Sequence, residues 1–118
     1  MSLFESHLQT LEAALPQISV DELIQWQEDK LDFVVIDVRL EDEYKNGSIP
    51  GAINMPRNQL EANIETLLSG PQQIIVVHCG SRGRSQLACQ SLRHMGLDCS
   101  VLTGGYQAWE AINTEAAA

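Results

Sequence analysis

Two uninterrupted apolar runs, Phe33-Val34-Val35-Ile36 and Ile74-Ile75-Val76-Val77, constrain this chain more than any other feature. Each is short and rich in β-branched residues, and neither alternates with polar positions that could face water. A strand covered on one face alternates, whereas a strand covered on both faces is apolar throughout, and strands of that kind are central and parallel. Each run feeds directly into a polar segment, Asp37-Val38-Arg39 after the first and His78-Cys79-Gly80 after the second. Parallel strands need crossover connections, usually helical, so the pattern predicts an α/β domain with a mainly parallel sheet and right-handed crossovers.

The other segments supply those crossovers. Leu3, Phe4, Leu8, Leu11 and Leu15 recur at spacings of three and four, giving an amphipathic helix that Pro16 ends. Its apolar face is a surface for packing on the domain or for homodimerisation. Ser19 and Glu22 form a capping box that starts a second helix running to about Gln27. Ile49 to Pro56 reads as a turn and a brief strand, and Leu60, Ile64, Leu67 and Leu68 give a helical stripe ended by Gly70-Pro71. A helix over 84–95 places Leu87, Ala88, Ser91, Leu92 and Met95 inward, with Gly96 as its cap. Cys99 to Leu102 reads as a last strand, and Tyr106 to Ile112 as a last helix after Gly104-Gly105.

With 118 residues the chain suits one core rather than two. The expected division is an N-terminal helical extension over 1–16, one domain over 17–113 and a frayed, alanine-rich tail over 114–118. No stretch approaches the roughly 20 apolar residues that cross a bilayer, so no membrane contact is expected. The opening residues, with Glu5 and Glu12, lack the basic start and apolar block of a secretory signal. Three cysteines, an odd number with no Cys-x-x-Cys pair, fit reduced thiols and a cytoplasmic setting. The net charge of -9 argues against a nucleic-acid surface, because phosphate binding is driven by positive charge.

Against that acidic background Arg82 and Arg84 both fall within the loop Cys79-Gly80-Ser81-Arg82-Gly83-Arg84, followed by Ser85. Ligands of open parallel sheets collect where strands end and helices begin. Gly80 and Gly83 would let successive amides curve inward, forming an anion-binding cradle with a sulfur at its base. A helix start and two guanidinium groups favour a thiolate over a thiol, predicting that Cys79 is a nucleophile and not a packed core cysteine.

At this point the sequence resembles the rhodanese-like domains over most of its length, from about Ile18 to Ile112. Four ordered motifs carry the resemblance: Ile36-Asp37-Val38-Arg39 with Glu43-Tyr44; Gly47-Ser48-Ile49-Pro50-Gly51-Ala52-Ile53-Asn54; Cys79 to Ser85; and Leu102-Thr103-Gly104-Gly105-Tyr106-Gln107-Ala108-Trp109. The resemblance implies a five-stranded, mainly parallel sheet with helices on both faces. It also implies a cysteine that takes sulfane sulfur from a donor such as thiosulfate and passes it to a nucleophile. Two features depart from the family: Ser48 stands where its members often have His, and the N-terminal helix lies outside the usual core.

The resulting expectation is a thiosulfate sulfurtransferase in which Cys79 and Arg84 are catalytic and Gly80, Ser81, Arg82, Gly83 and Ser85 bind the substrate. Asp37 and Arg39 support the loop. Its partners would be a small anionic sulfur donor and a thiol acceptor, either of low molecular weight or a thioredoxin-like protein. No cofactor is required. His7, His78 and His94 show no metal-ligand spacing, and no metal is expected. Cys89, Cys99, Trp26 and Trp109 are read as packing residues, and His78 as a structural residue facing away from Cys79. Two rival functions are a phosphatase or arsenate reductase and a non-catalytic binding module. Phosphatases of the dual-specificity kind place five residues between Cys and Arg, whereas here four separate Cys79 from Arg84. The intact Cys79 and Arg84 weigh against a purely binding role.

Overall fold

A computed structural model describes the backbone of residues 1–117 and the side chains of residues 1–113. The chain begins with α1 (Leu3–Ala14), capped by the Ser2 hydroxyl, which accepts from the Glu5 amide at 3.0 Å. β1 (Gln17–Ile18) leads to α2 (Val20–Glu28), where Ser19 and Glu22 complete the expected capping box. β2 (Phe33–Asp37), a short α3 (Glu41–Lys45) and β3 (Ile53–Asn54) come next. The crossover to β4 (Ile74–His78) contains a single turn, α4 (Leu60–Asn63), between two 3-10 turns. α5 (Gly83–His94), β5 (Asp98–Leu102) and α6 (Gly105–Ala117) complete the fold.

The strands form one sheet in the order β1-β5-β4-β2-β3, parallel throughout. The two apolar runs pair with each other in the middle, from Phe33 opposite Ile74 to Asp37 opposite His78. One face of the sheet buries Ile36, Val38, Ile75, Val77 and Cys79 against Leu60 and Ile64 and against Ala88, Cys89 and Leu92 of α5. The other buries Val35, Val76 and Leu102 against Val20 and Leu23 of α2, with Ala108 and Trp109 of α6 packed on them. Both faces are therefore covered, which is why neither central run alternates.

This order places the functional edge. From β2 the chain moves outward to β3, and from β4 it moves the other way to β5, so the connections diverge above the carboxyl ends of β2 and β4. Such a divergence leaves a crevice in a parallel sheet. Asp37, His78 and Cys79 all stand at its floor.

Several local expectations are corrected. The stripe Leu60, Ile64, Leu67, Leu68 is not one continuous helix. Asn63 donates to the Gln59 carbonyl at 2.8 Å and Thr66 to the Asn63 carbonyl at 2.7 Å, and such local side-chain bonds compete with the helical ladder. Leu60 and Ile64 are nevertheless fully buried. Met95 is exposed, because α5 ends at His94; Ser85, Gln86, Ala88, Cys89 and Leu92 form the buried face. Gly96 caps that end at φ 88°, as expected. α6 extends to Ala117, past the predicted end at Ile112, and the side chains of the expected tail over 114–118 lie outside the described residues.

α1 packs on the domain itself, burying Leu8 and Leu11 beside α5, while Leu3 and Phe4 remain exposed. Among the described residues, no helix is long and apolar enough to cross a membrane.

Candidate active site

Cys79 follows β4 immediately and is 2% exposed. Its Sγ lies 3.2 Å from the Ser85 hydroxyl, which also donates to the Arg82 carbonyl at 3.1 Å. A serine hydroxyl has one proton and two lone pairs. With a protonated thiol, the Ser85 proton goes to the Arg82 carbonyl and the oxygen accepts from sulfur. With a thiolate, the hydroxyl can swing and donate to sulfur instead. Ser85 is fully buried on the first turn of α5, so no water competes for that bond.

The loop is held from outside by the start of α6. The Tyr106 amide donates to the Cys79 carbonyl at 2.9 Å and the Gln107 amide to the Gly80 carbonyl at 3.0 Å. A trans peptide sets its N–H opposite its C=O. With both carbonyls turned outward to α6, the amides of Gly80 and Ser81 point the other way, into the turn. Helix α6 therefore satisfies its own free amides and aims those of the loop with the same two bonds.

The glycine that permits this is Gly105. At φ 58° it is left-handed, and a Cβ there would sit 2.4 Å from the Cys79 oxygen and 3.1 Å from the Gly80 oxygen. The expectation that Gly80 and Gly83 supply left-handed backbone is corrected: neither has positive φ, and Gly83 is the first residue of α5. The cradle is shaped by the distant Gly104-Gly105 turn, and the loop itself needs no unusual backbone at its glycines.

Arg84 lies over the loop, its Nη2 3.8 Å from where a Gly80 Cβ would be. It forms a two-pronged ion pair with Glu43 of α3, at 2.8 and 3.3 Å. The bond to Arg84 holds the Glu43 carboxyl below its ordinary range. Arg82 departs from the expected role. Its Nε and Nη1 donate to Glu12 and Glu5 of α1, so its charge is matched by carboxylates from outside the loop. Ser81 is exposed at the rim.

Beneath the loop, Asp37 and Arg39 form a buried, two-pronged pair. The Arg39 Nε donates to Asp37 at 3.0 and 3.1 Å and its Nη2 at 2.8 Å, while Nη2 also donates to the Gly47 carbonyl at 2.7 Å. The guanidinium stacks 4.4 Å from the centre of the Tyr106 ring. Arg39 thus ties the end of β2 to the residue whose amide holds the Cys79 carbonyl. Removing either member of such a pair strands a buried charge and costs about 3–5 kcal/mol. His78 is fully buried, with Nδ1 3.2 Å from the Cys79 carbonyl and Nε2 3.8 Å from Asp37. Burial pushes its pKa down, so it is neutral here.

Cys89 and Cys99 meet each other: the Cys89 thiol donates to the Cys99 carbonyl at 3.3 Å, and both side chains are fully buried. Among the described residues, no group of three or more His, Cys, Asp or Glu is placed to hold a metal ion. Sequence reasoning missed three carboxylates, Glu43, Glu5 and Glu12. Glu43 stood inside a quoted motif without a role, whereas nothing local marked Glu5 or Glu12 as partners of a loop 70 or more residues away.

The rhodanese-like domain family model matches residues 19–112. The chain belongs to that family. It is 31% identical over 102 residues to the thiosulfate sulfurtransferase GlpE of Shewanella oneidensis, covering 86% of this chain and 98% of the relative. It resembles a thiosulfate sulfurtransferase structure from Pseudomonas aeruginosa with a TM-score of 0.80 and 29% identity, over 86% of this chain but 20% of that one. A human single-domain sulfurtransferase superposes with a TM-score of 0.71 and 28% identity over 81% of this chain and 96% of its own. Some relatives are much longer: the chain spans 26% of an Arabidopsis thaliana adenylyltransferase and sulfurtransferase. As a member of the rhodanese-like family the chain shares its parallel sheet, and residues 1–18 lie outside the matched region.

Proposed function

We propose that this rhodanese-like domain is a sulfurtransferase that carries one sulfane sulfur on Cys79 as a persulfide. The reading rests on one observation above all: the Cys79 sulfur sits at the base of a turn whose first carbonyls are bonded outward to α6, leaving the loop amides free for an anion. The Cys79 thiolate attacks the outer sulfur of a small anionic donor, of which thiosulfate is the simplest. A new sulfur-sulfur bond forms, the donor's own breaks, and sulfite leaves with its electron pair. The persulfide anion then lies among amides of Gly80 to Ser85, stabilised as an oxyanion hole stabilises its oxygen. An incoming thiolate, or cyanide in a test tube, takes the outer sulfur and restores the Cys79 thiolate. The acceptor is a thiol of low molecular weight or of a thioredoxin-like protein, and the reaction uses no cofactor.

In this mechanism Arg84 steadies the anionic part of the donor at the loop mouth, and Ser85 donates to whichever sulfur on Cys79 is charged. Asp37, Arg39 and His78 act through the loop backbone and touch no substrate. The spacing of four residues between Cys79 and Arg84 favours a turn that encloses a single sulfur over one that wraps a phosphoryl group.

Mass spectrometry after incubation with thiosulfate tests the reading. The protein is expected to gain the mass of one sulfur atom on the peptide containing Cys79, and Cys79→Ser to lose both that gain and thiocyanate formation. Undiminished turnover in Cys79→Ser would refute the mechanism.

A further inference from the structure

Three guanidinium groups surround the loop, and every one is matched by a carboxylate. Arg39 is held by Asp37, Arg84 by Glu43, and Arg82 by both Glu5 and Glu12. The positive field expected from the sequence is therefore more than offset in the folded chain, three guanidinium charges facing four carboxylates, and the two on Arg82 belong to a helix outside the family's matched region.

The placement of α1 is what makes this possible. Phe4 and Leu8 rest on the loop, 3.5 and 3.9 Å from where a Gly83 Cβ would be, which is ordinary packing distance. Glu5 and Glu12 lie two turns apart on α1, and the guanidinium between them uses Nε on one and Nη1 on the other. A guanidinium is planar with its donors at fixed angles, so engaging Nε and Nη1 on two carboxylates of one helix fixes the group against α1. Arg82 and Glu12 together border a cavity of about 270 Å³ whose wall also includes Ser81 of the loop, so their charges stand beside the Cys79 turn.

We propose that Glu5 and Glu12 are specificity-determining residues: by pairing two carboxylates with the single charge of Arg82 they place a net negative charge beside the Cys79 loop and bias it toward singly charged sulfane donors, such as alkyl persulfides, over dianionic ones. This rests on the reading of Cys79 as a sulfur carrier. With an alkyl persulfide the step balances as before: the outer sulfur bonds to Cys79, the sulfur-sulfur bond of the donor breaks, and an alkyl thiolate leaves and takes a proton from water. The charges of Glu5, Glu12 and Arg82 sum to one negative charge, which repels a dianion twice as strongly as a monoanion at equal distance and so penalises thiosulfate most.

The test measures anion affinity in Cys79→Ser protein, which does not turn over, so its outcome stands apart from whether Cys79 transfers sulfur. Thiosulfate and thiocyanate serve as dianion and monoanion probes, titrated calorimetrically at low salt. Glu5→Gln with Glu12→Gln is expected to tighten thiosulfate on the order of fivefold and thiocyanate on the order of twofold. Adding Arg82→Gln to that double variant is expected to give back part of both gains, and Arg82→Gln alone, which leaves both carboxylates unpaired, to weaken thiosulfate more than thiocyanate. Equal tightening of both probes, no tightening in the double variant, a triple variant that binds thiosulfate as tightly as the double one, or unchanged affinity in Arg82→Gln would overturn the proposal. Circular dichroism of each variant shows that α1 and the domain remain folded; if the double variant loses helix, Glu5→Gln alone carries the same comparison.

Discussion

Replacing Gly105 with Ala isolates the contact that shapes the loop. Two effects combine at this position. A residue with a Cβ held at φ 58° is strained by about 1–2 kcal/mol. The new Cβ would also sit 2.4 Å from the Cys79 oxygen, and because that neighbour is backbone, relief requires moving the loop away from α6. That movement breaks the bonds from Tyr106 and Gln107 at 2.9 and 3.0 Å, each worth about 0.5–1.5 kcal/mol. The expected loss of stability is thus about 2–5 kcal/mol, equivalent to a fall in Tm on the order of 10–20 °C for a chain of this size. Sulfur transfer suffers separately, since amides that no longer face the sulfur cost on the order of a hundredfold in kcat, as loss of an oxyanion-hole donor does. Gly96 supplies the control: it is left-handed at φ 88°, yet nothing lies within 4 Å of its Cβ position. Gly96→Ala should show the strain alone, with Tm lowered modestly and transfer unchanged. Thermal unfolding by circular dichroism and thiocyanate formation are the assays. If the Gly105 and Gly96 variants fell together in both measurements, the argument that α6 aims the loop amides would be wrong.

Arg84→Ala should raise the KM for thiosulfate about tenfold, the equivalent of one charge-assisted hydrogen bond, with little change in kcat; unchanged dependence on thiosulfate concentration would remove Arg84 from the donor site. His78 gives a pH dependence with a definite sign. Burial lowers its pKa in the folded chain, so below the unfolded value of about 6.5 the unfolded chain binds a proton that the folded chain refuses. Stability should therefore fall as pH drops below about 6.5, and His78→Asn should flatten that slope in urea titrations at pH 7, 6 and 5; an equal slope in both proteins would refute the assignment.

The sequence was most legible where the determinants were local. The capping box at Ser19 and Glu22 needs residues three apart, and the central strands announce themselves by unbroken β-branched runs. Cys79, Arg84 and Ser85 fall within seven consecutive positions, so the candidate loop could be picked out before the fold was known. Where local side-chain bonds rival the helical ladder, as at Asn63 and Thr66, a helical stripe misleads because periodicity reports which face is buried and says nothing of hydrogen-bond spacing.

The sequence by itself determined a doubly covered parallel sheet and a cysteine loop at its carboxyl edge, because burial patterning and the loop are written in neighbouring residues. Tertiary structure decided the charge of the site and the aim of its amides. Arg82 meets Glu12 across 70 positions, Arg84 meets Glu43 across 41, and Gly105 packs on the Cys79 carbonyl from the turn after β5. A guanidinium pairs with whichever carboxylate the returning chain brings within reach. That choice is made by the path of the backbone, and no reading of the loop alone contains it.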